Sequence, residues 1–164
     1  DDDLSRGLGD VYKRQNLQRM GLVCEQGLYN LIERRAELEV LPACLQYGVG
    51  LIPWSPLAGG LLAGGSNAPG RRQSDAVQEA RRTRAEQLQR FEALCADLGE
   101  TPSNVALAWL LHQPGVTATI IGPGTVDQLT NTLSVPDLML NAETLDNIDN
   151  IFPPCGAAPE AYAW

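Results

Sequence analysis

From residue 22 onward the chain alternates between strand-like and helix-like hydrophobic periods. Leu22 to Gln26 is a short strand-like run, and Leu31 to Tyr47 reads as a helix in which Leu38, Leu41 and Leu45 recur at spacings of three and four. Gly48 and Gly50 punctuate its end. Val49 to Trp54 is a compact apolar run bounded by glycine and proline, the pattern of a fully buried parallel strand. Leu57 to Ser74, rich in Gly, Ala and Pro, is too long for an ordinary connection, and loops of that length are functional or disordered.

Residues 75 to 98 predict one helix with Leu88, Phe91, Leu94, Cys95 and Leu98 on its apolar face, stopped by Gly99. Thr101 and Pro102 have the chemistry of an N-cap and a first helical residue. The helix body that follows, Val105 to Leu111, is apolar nearly all round and should be buried. After Pro114 and Gly115, Thr117 to Ile121 predicts a third strand, Thr125 to Leu133 a helix capped by Thr125, and Ala142 to Ile151 a last short helix before an aperiodic tail. Strand alternating with helix implies an α/β fold with a parallel sheet and crossover connections. Three parallel strands alone leave edges and one face poorly covered, so the pattern points to a piece of something larger.

Residues 1 to 15 show neither period and hold the chain's only lysine, Lys13; every later cation is arginine. The shift sets these residues apart from residues 16 to 164, either as translated adapter or vector sequence or as a disordered native N-terminus. A chain of 164 residues can bury one good core. Its net charge of −8, with no basic stripe, argues against nucleic acid. No apolar run approaches the roughly 18 to 20 residues that cross a bilayer, and the acidic start is unlike a secretory signal, so the expected location is cytoplasmic. Cys24, Cys44, Cys95 and Cys155 form no C-x-x-C pair, and buried reduced thiols rather than a metal site or a disulfide framework are expected.

In a parallel α/β sheet the working residues sit at the C-terminal ends of strands. Three such places exist here: Gln26 near Tyr29-Asn30, the run Trp54 to Leu62, and Gly122-Pro123-Gly124-Thr125 followed by Gln128. A tryptophan ahead of a glycine-rich loop offers a flat plate for stacking and a backbone that can approach a phosphate. An aromatic filling the core beside a flexible loop fits the same residues. Gly122-x-Gly124 before a capped helix offers N–H groups to an anion, although a lone G-x-G is weak evidence. No nucleophile constellation is evident: His112 reads as a helix-end histidine beside the C-terminal dipole, and no G-x-S-x-G elbow is present. Glu33, Glu37 and Glu39 read as decoration of a solvated helix face.

The runs Q-G-L-Y-N-L-I-E-R (26 to 34), E-V-L-P-A-C (39 to 44), G-L-I-P-W-S-P-L-A-G-G-L-L-A-G (50 to 64), V-A-L-A-W-L-L (105 to 111) and I-I-G-P-G-T-V-D-Q-L (120 to 129) resemble the aldo-keto reductases, in the branch related to potassium-channel β-subunits. The resemblance covers essentially all of residues 22 to 164, and the ending A-A-P-E-A-Y-A-W is similar to the C-terminus of bacterial members. It implies a partial (β/α)8 TIM barrel, about the last three strands with their helices, from an enzyme that reduces aldehydes or ketones by hydride transfer from NADP(H), with NAD as the alternative cofactor.

By resemblance, Gln26 holds the nicotinamide carboxamide and Trp54 stacks on the ring. Ser55, Pro56, Leu57, Ala58, Gly59, Gly60 and Leu61 wrap the pyrophosphate, and Gly122, Gly124, Gln128 and Asn131 line the adenosine end. The family's catalytic tyrosine, lysine, aspartate and histidine belong to earlier strands, so no catalytic residue and no metal ligand is assigned, and Tyr29 is not the catalytic tyrosine. The implied partners are a small-molecule carbonyl substrate and the missing N-terminal half of the barrel. The alternative is a non-catalytic, nicotinamide-nucleotide-sensing subunit of the same fold. Gly65 stands where many relatives have lysine, Gly124 where many have arginine or serine, and Thr132 where asparagine is common. Arg71 or Arg72 is the candidate substitute cation near the adenosine 2′-phosphate.

Overall fold

A computed structural model of the chain describes residues 22–65 and 75–157. The leader, Arg71, Arg72 and the end of the tail lie outside them. The first strand is β1 (Cys24–Leu28), two residues later than the sequence pattern places it. The predicted helix over Leu31–Tyr47 is instead a 3-10 turn at Arg35–Glu37 followed by α1 (Val40–Tyr47). The reason is local. Ile32 and Glu33 donate their N–H groups to Asn30 Oδ1, both at 2.9 Å, which gives this backbone a side-chain partner in place of a helical one. Gly48 closes α1 in the left-handed conformation (φ 64°), its N–H donating to the Cys44 carbonyl. Leu41 is buried as expected, whereas Leu45 is exposed.

Strand β2 (Gly50–Trp54) lies parallel to β1 in the register Cys24–Gly50, Gln26–Ile52, Leu28–Trp54. The third strand expected over Thr117–Ile121 does not form: the sheet of the described residues has two strands and one isolated bridge from Leu51 to Val116. Proline explains the interruption. Leu51 donates to the Gly115 carbonyl and accepts from Thr117 N–H, as one step of a parallel ladder. The next step needs an N–H from residue 53, and Pro53 has none. Its carbonyl accepts from Ile120 N–H rather than from Thr119, so one extra residue is accommodated and the ladder lapses.

The glycine-rich loop after β2 closes into 3-10 turns over Ala58–Ala63. The helix expected over residues 75 to 98 is two helices, α2 (Asp75–Thr83) and α3 (Ala85–Asp97), broken at Arg84 (φ −110°). Thr83 Oγ1 donates back to the Glu79 carbonyl at 2.9 Å, a bond that bends helices at their ends. Helix α4 (Pro102–His112) is capped by Thr101, whose Oγ1 accepts from Asn104 N–H. Helix α5 (Val126–Thr132) is capped in the same way by Thr125, and α6 (Ala142–Ile151) by Asn141. Four free cysteines divide evenly: Cys44 and Cys95 are buried, while Cys24 and Cys155 are exposed, against the expectation for Cys24. Burial, with Glu92 nearby, pushes the Cys95 thiol up to about 12.

Helix α4 is the centre of the core. Val105 through Leu110 are all buried, with the 3-10 turns at Ala58–Ala63 and Val135–Asp137 and helix α3 packed around them. Trp109 meets Tyr29 with ring centroids 5.4 Å apart, and Phe91 meets Phe152 edge-on at the same distance. Arg34 enters this apolar region with only 6% exposure. Its guanidinium lies 5.0 Å from the Trp109 ring centroid and donates to Glu37 Oε1, Asp149 Oδ1 and the Phe152 carbonyl, each at 2.6 Å. Tyr29 Oη donates to the same Glu37 oxygen at 2.7 Å. Glu37 is therefore a half-buried partner rather than surface decoration, while Glu33 pairs with the exposed Arg35 and Glu39 is exposed. Burial alone would lower the Arg34 pKa, but the two carboxylates outweigh it and raise it.

Arg34→Met should cost about 3 kcal/mol in urea unfolding, the scale for removing one partner of a buried pair. Adding Glu37→Gln should recover part of that loss, because it removes the stranded carboxylate. A loss within about 0.5 kcal/mol would place Arg34 among ordinary surface cations. A second expectation concerns Gly50, where an added Cβ would lie 2.1 Å from Thr117 Oγ1. Gly50→Ala should destabilise by about 1–3 kcal/mol through overpacking. The double variant Gly50→Ala/Thr117→Gly should regain most of it in the same measurement.

Candidate functional site

Side chains alternate across a strand, so the parallel register sorts β1 and β2 into two faces. Leu51 and Pro53 face the helices and are buried. Cys24, Gln26, Gly50, Ile52 and Trp54 share the opposite face, where Gln26 is exposed, Ile52 half-buried and Trp54 45% exposed. Gln26 and Trp54 thus come together on one open face, Trp54 being the last residue of β2. Residues 115 to 120 run parallel to β2, so Gly122 leaves at the same end of the sheet as Trp54. Asn30, following β1, is there too.

The segment Ser55–Leu61 turns sharply at this end. Ser55 (φ 55°), Ala58 (φ 48°), Gly59 (φ 67°) and Gly60 (φ 99°) all occupy the left-handed region. For Gly59 and Gly60 this costs little; for Ser55 and Ala58 it costs on the order of 1 kcal/mol each and persists only where surroundings enforce it. Several contacts do so. Ala58 N–H donates to the Ser55 carbonyl at 3.0 Å, and Gly60 and Leu62 N–H both donate to the Leu57 carbonyl. Pro56, Leu61 and Leu62 are buried and root the loop in the core, while Leu57 and Ala58 are half-buried.

Asn30, placed by the sequence at the first strand end without a role, and Arg81, which the sequence does not single out, hold this loop from outside. Asn30, 2% exposed, donates Nδ2–H to the Ser55 carbonyl at 3.0 Å. Arg81 on α2 reaches the Leu61 and Gly65 carbonyls, each at 3.5 Å, and lies 3.5 Å from Glu92. The arginine on its helix carries no motif; only its distances to the loop identify it.

Gly122, Gly124, Gln128 and Asn131 are all exposed. Gly124 N–H donates to Gln128 Oε1 at 2.7 Å, and Gln128 N–H donates to Thr125 Oγ1 at 3.2 Å, so the start of α5 satisfies itself locally. Thr132 Oγ1 donates to the Leu129 carbonyl. These residues form a second exposed group beyond the strand end, on the same end of the sheet as the Trp54 loop.

Proton-bearing groups nearby are otherwise engaged. Tyr29 is fully buried, and burial with its bond to Glu37 raises its pKa above the ordinary tyrosine value. His112 ends α4 as the sequence suggests: one ring nitrogen, Nδ1, lies 2.8 Å from the Ala108 carbonyl, while Nε2 accepts from Leu140 N–H at 3.3 Å. The ring is therefore the Nδ1–H tautomer, tying the end of α4 to the entrance of α6. Among the described residues no group of three or more His, Cys, Asp or Glu side chains is placed to hold a metal ion. No helix among them is long and apolar enough to cross a membrane. A groove of about 320 Å³ lies between β1 and the 3-10 turn, lined by Glu25, Gly27, Leu28, Glu33, Arg35, Ala36 and Val40. It shares no residue with the Trp54 loop.

The aldo/keto reductase family model matches residues 7–152. The chain is 50% identical over 151 residues to an uncharacterized oxidoreductase, YrpG, of Bacillus subtilis, covering 88% of this chain and 45% of that protein. It is 32% identical over 142 residues to the versiconal hemiacetal acetate reductase of Aspergillus parasiticus (82% of this chain, 41% of that protein). It is 31% identical over 160 residues to a probable voltage-gated potassium channel subunit beta of Arabidopsis thaliana (89% and 48%). The chain spans less than half the length of each of these relatives.

Proposed function

The chain belongs to the aldo/keto reductase family, and from that premise we propose that it is the C-terminal part of an NAD(P)H-dependent reductase of aldehydes or ketones, supplying cofactor-binding residues and no catalytic ones. The observation that carries this reading is the open sheet face ending in Trp54, continued by a loop with four left-handed residues at the C-terminal end of a parallel strand. That end is where α/β barrels bind their ligands. A half-exposed indole offers a stacking plate, and a loop held in this conformation suits a pyrophosphate better than it suits core packing.

On this reading Gln26 holds the nicotinamide carboxamide and Trp54 lies against the ring. Ser55 to Leu61 surround the pyrophosphate, and Gly122, Gly124, Gln128 and Asn131 meet the adenosine end. The bound cofactor supplies hydride to the carbonyl carbon. The residues of this chain orient it and exclude water, and the proton donor belongs to the part of the barrel that the chain does not carry. Glycine at 65 and 124 leaves Arg71 or Arg72 as the candidate cation near the adenosine and NAD as an alternative to NADP. The two-stranded sheet with its uncovered face fits a (β/α)8 barrel completed by an N-terminal half of about five strands. The setting is cytoplasmic, and the substrate a small carbonyl compound.

Similarity to the Arabidopsis channel subunit beta across most of this chain favours a second reading, a nucleotide-sensing subunit without turnover. A full-length form assayed with NADPH and simple aldehydes separates the two: turnover supports the reductase, and binding without turnover supports the sensor.

The chain alone should show no NADPH-dependent reduction above background, since general acid catalysis alone contributes roughly 10²- to 10⁴-fold. Measurable turnover by the purified chain would contradict the proposal. When an N-terminal half completes the barrel, NADPH should quench tryptophan fluorescence. Trp54→Ala should abolish that quenching and Trp109→Phe should leave it, because Trp109 is 1% exposed in the core. Quenching that survives Trp54→Ala would return Trp54 to a packing role.

A further inference from the structure

Asn30 is buried at the end of β1 between Tyr29 and Leu31, which are 0% and 2% exposed. All of its side-chain polar atoms are committed. Its Oδ1 accepts from Ile32 and Glu33 N–H, and its Nδ2 donates to the Ser55 carbonyl. The amide orientation is therefore fixed, because the flipped form would face two N–H donors with an NH2 group and a carbonyl with an oxygen. The Ser55 carbonyl also accepts from Ala58 N–H, so the asparagine bond and the turn of the loop meet at one atom. Ser55 is a non-glycine residue at φ 55°, a conformation it leaves when nothing holds it.

We infer that Asn30 is a positioning residue: its single bond to the Ser55 carbonyl holds the Ser55–Leu61 loop in the conformation that receives the dinucleotide pyrophosphate. This rests on the reading of that loop as the cofactor-binding segment. Asn30 acts through Ser55 and touches no cofactor itself. Asn30 is 2% exposed and Ser55 half-buried, so the bond is made from a side chain held inside the protein. Its own backbone is held independently, because its N–H donates to the Glu33 carbonyl at 3.1 Å and its neighbour Tyr29 is anchored to Glu37 and Trp109. Rigid on the β1 side, it transmits position to a strained loop on the β2 side.

Asn30→Asp tests this selectively. The aspartate keeps an acceptor for Ile32 and Glu33 N–H but, when ionised, sets a negative oxygen against the Ser55 carbonyl. When protonated, its O–H restores the donor. Burial raises the pKa of a carboxyl placed here while the two N–H donors of Ile32 and Glu33 lower it, so the variant is read at about pH 8, where the carboxylate is ionised and the bond is lost. Amide hydrogen exchange of the full chain, corrected for intrinsic pH dependence, reads the loop without any cofactor. At about pH 8 the Ala58 and Gly60 amides should exchange on the order of ten-fold faster in Asn30→Asp than in the wild type. The α4 amides should stay protected. Asn30→Ala should show the faster exchange at every pH.

Equal loss of protection in loop and α4, or a loop indifferent to Asn30→Asp, would overturn the inference. Added NADPH, with an N-terminal half completing the barrel, forms a separate arm. Wild-type loop protection on titration, weakened in Asn30→Asp at about pH 8, supports both statements. If NADPH leaves the wild-type loop unchanged while the cofactor-free exchange behaves as described, the cofactor reading of the loop fails and the positioning role of Asn30 stands.

Discussion

A guanidinium buried to 6% exposure must find its counter-charges where it lies, and the arrangement around Arg34 follows from that demand. Glu37 comes from the turn just after it, Asp149 and the Phe152 carbonyl from the end of α6, and the Trp109 face from the middle of α4. Residues 118 positions apart are joined by one side chain. An apolar residue of similar length would fill the space, but it would not select among ways of docking α6. Four directional contacts at one planar group do so: three hydrogen bonds that Arg34 donates and one against the Trp109 face.

The constraint passes outward along the chain. Tyr29 is fixed by Glu37 and by Trp109, which fixes the backbone at Asn30, whose side chain in turn meets Ser55. The exposed plate of Trp54 and the turns behind it therefore stand on a charged cluster that faces the opposite layer. Gln87 adds a second tie at the far end by donating Nε2–H to the Ile151 carbonyl at 2.7 Å, so α3 and α6 close the same side of the core.

Much of this was legible in the sequence where one residue type has one physical use. The apolar circumference of Val105–Leu110 means burial, Thr101-Pro102 and Thr125 begin helices, and Gly48 and Gly99 end them. For the site, an apolar strand ending in Trp54 and running into Gly59-Gly60 fits either a nucleotide site or a core aromatic beside a flexible loop, and the structure adds that Trp54 is 45% exposed. What escaped depends on partners distant in sequence. Glu37 reads as a surface charge until Arg34 and Tyr29 converge on it, and Asn30 marks only a strand end until Ser55 lies opposite. The break at Arg84 needed the back-bond of Thr83, which periodicity does not register.

The missing N–H of Pro53 reaches further than the strand it interrupts. A regular parallel pair would bring Thr119 opposite the Pro53 carbonyl, but Ile120 occupies that position, so side-chain alternation beyond it is offset by one residue. Whatever Gly122 and the cap at Thr125 present to the open end of the sheet is presented in that offset phase. Trimming one residue between Thr117 and Ile120 would leave composition almost untouched and yet turn the following segment over, inside for outside. The aim of the last candidate segment is thus set by a proline on another strand, nearly 70 residues earlier.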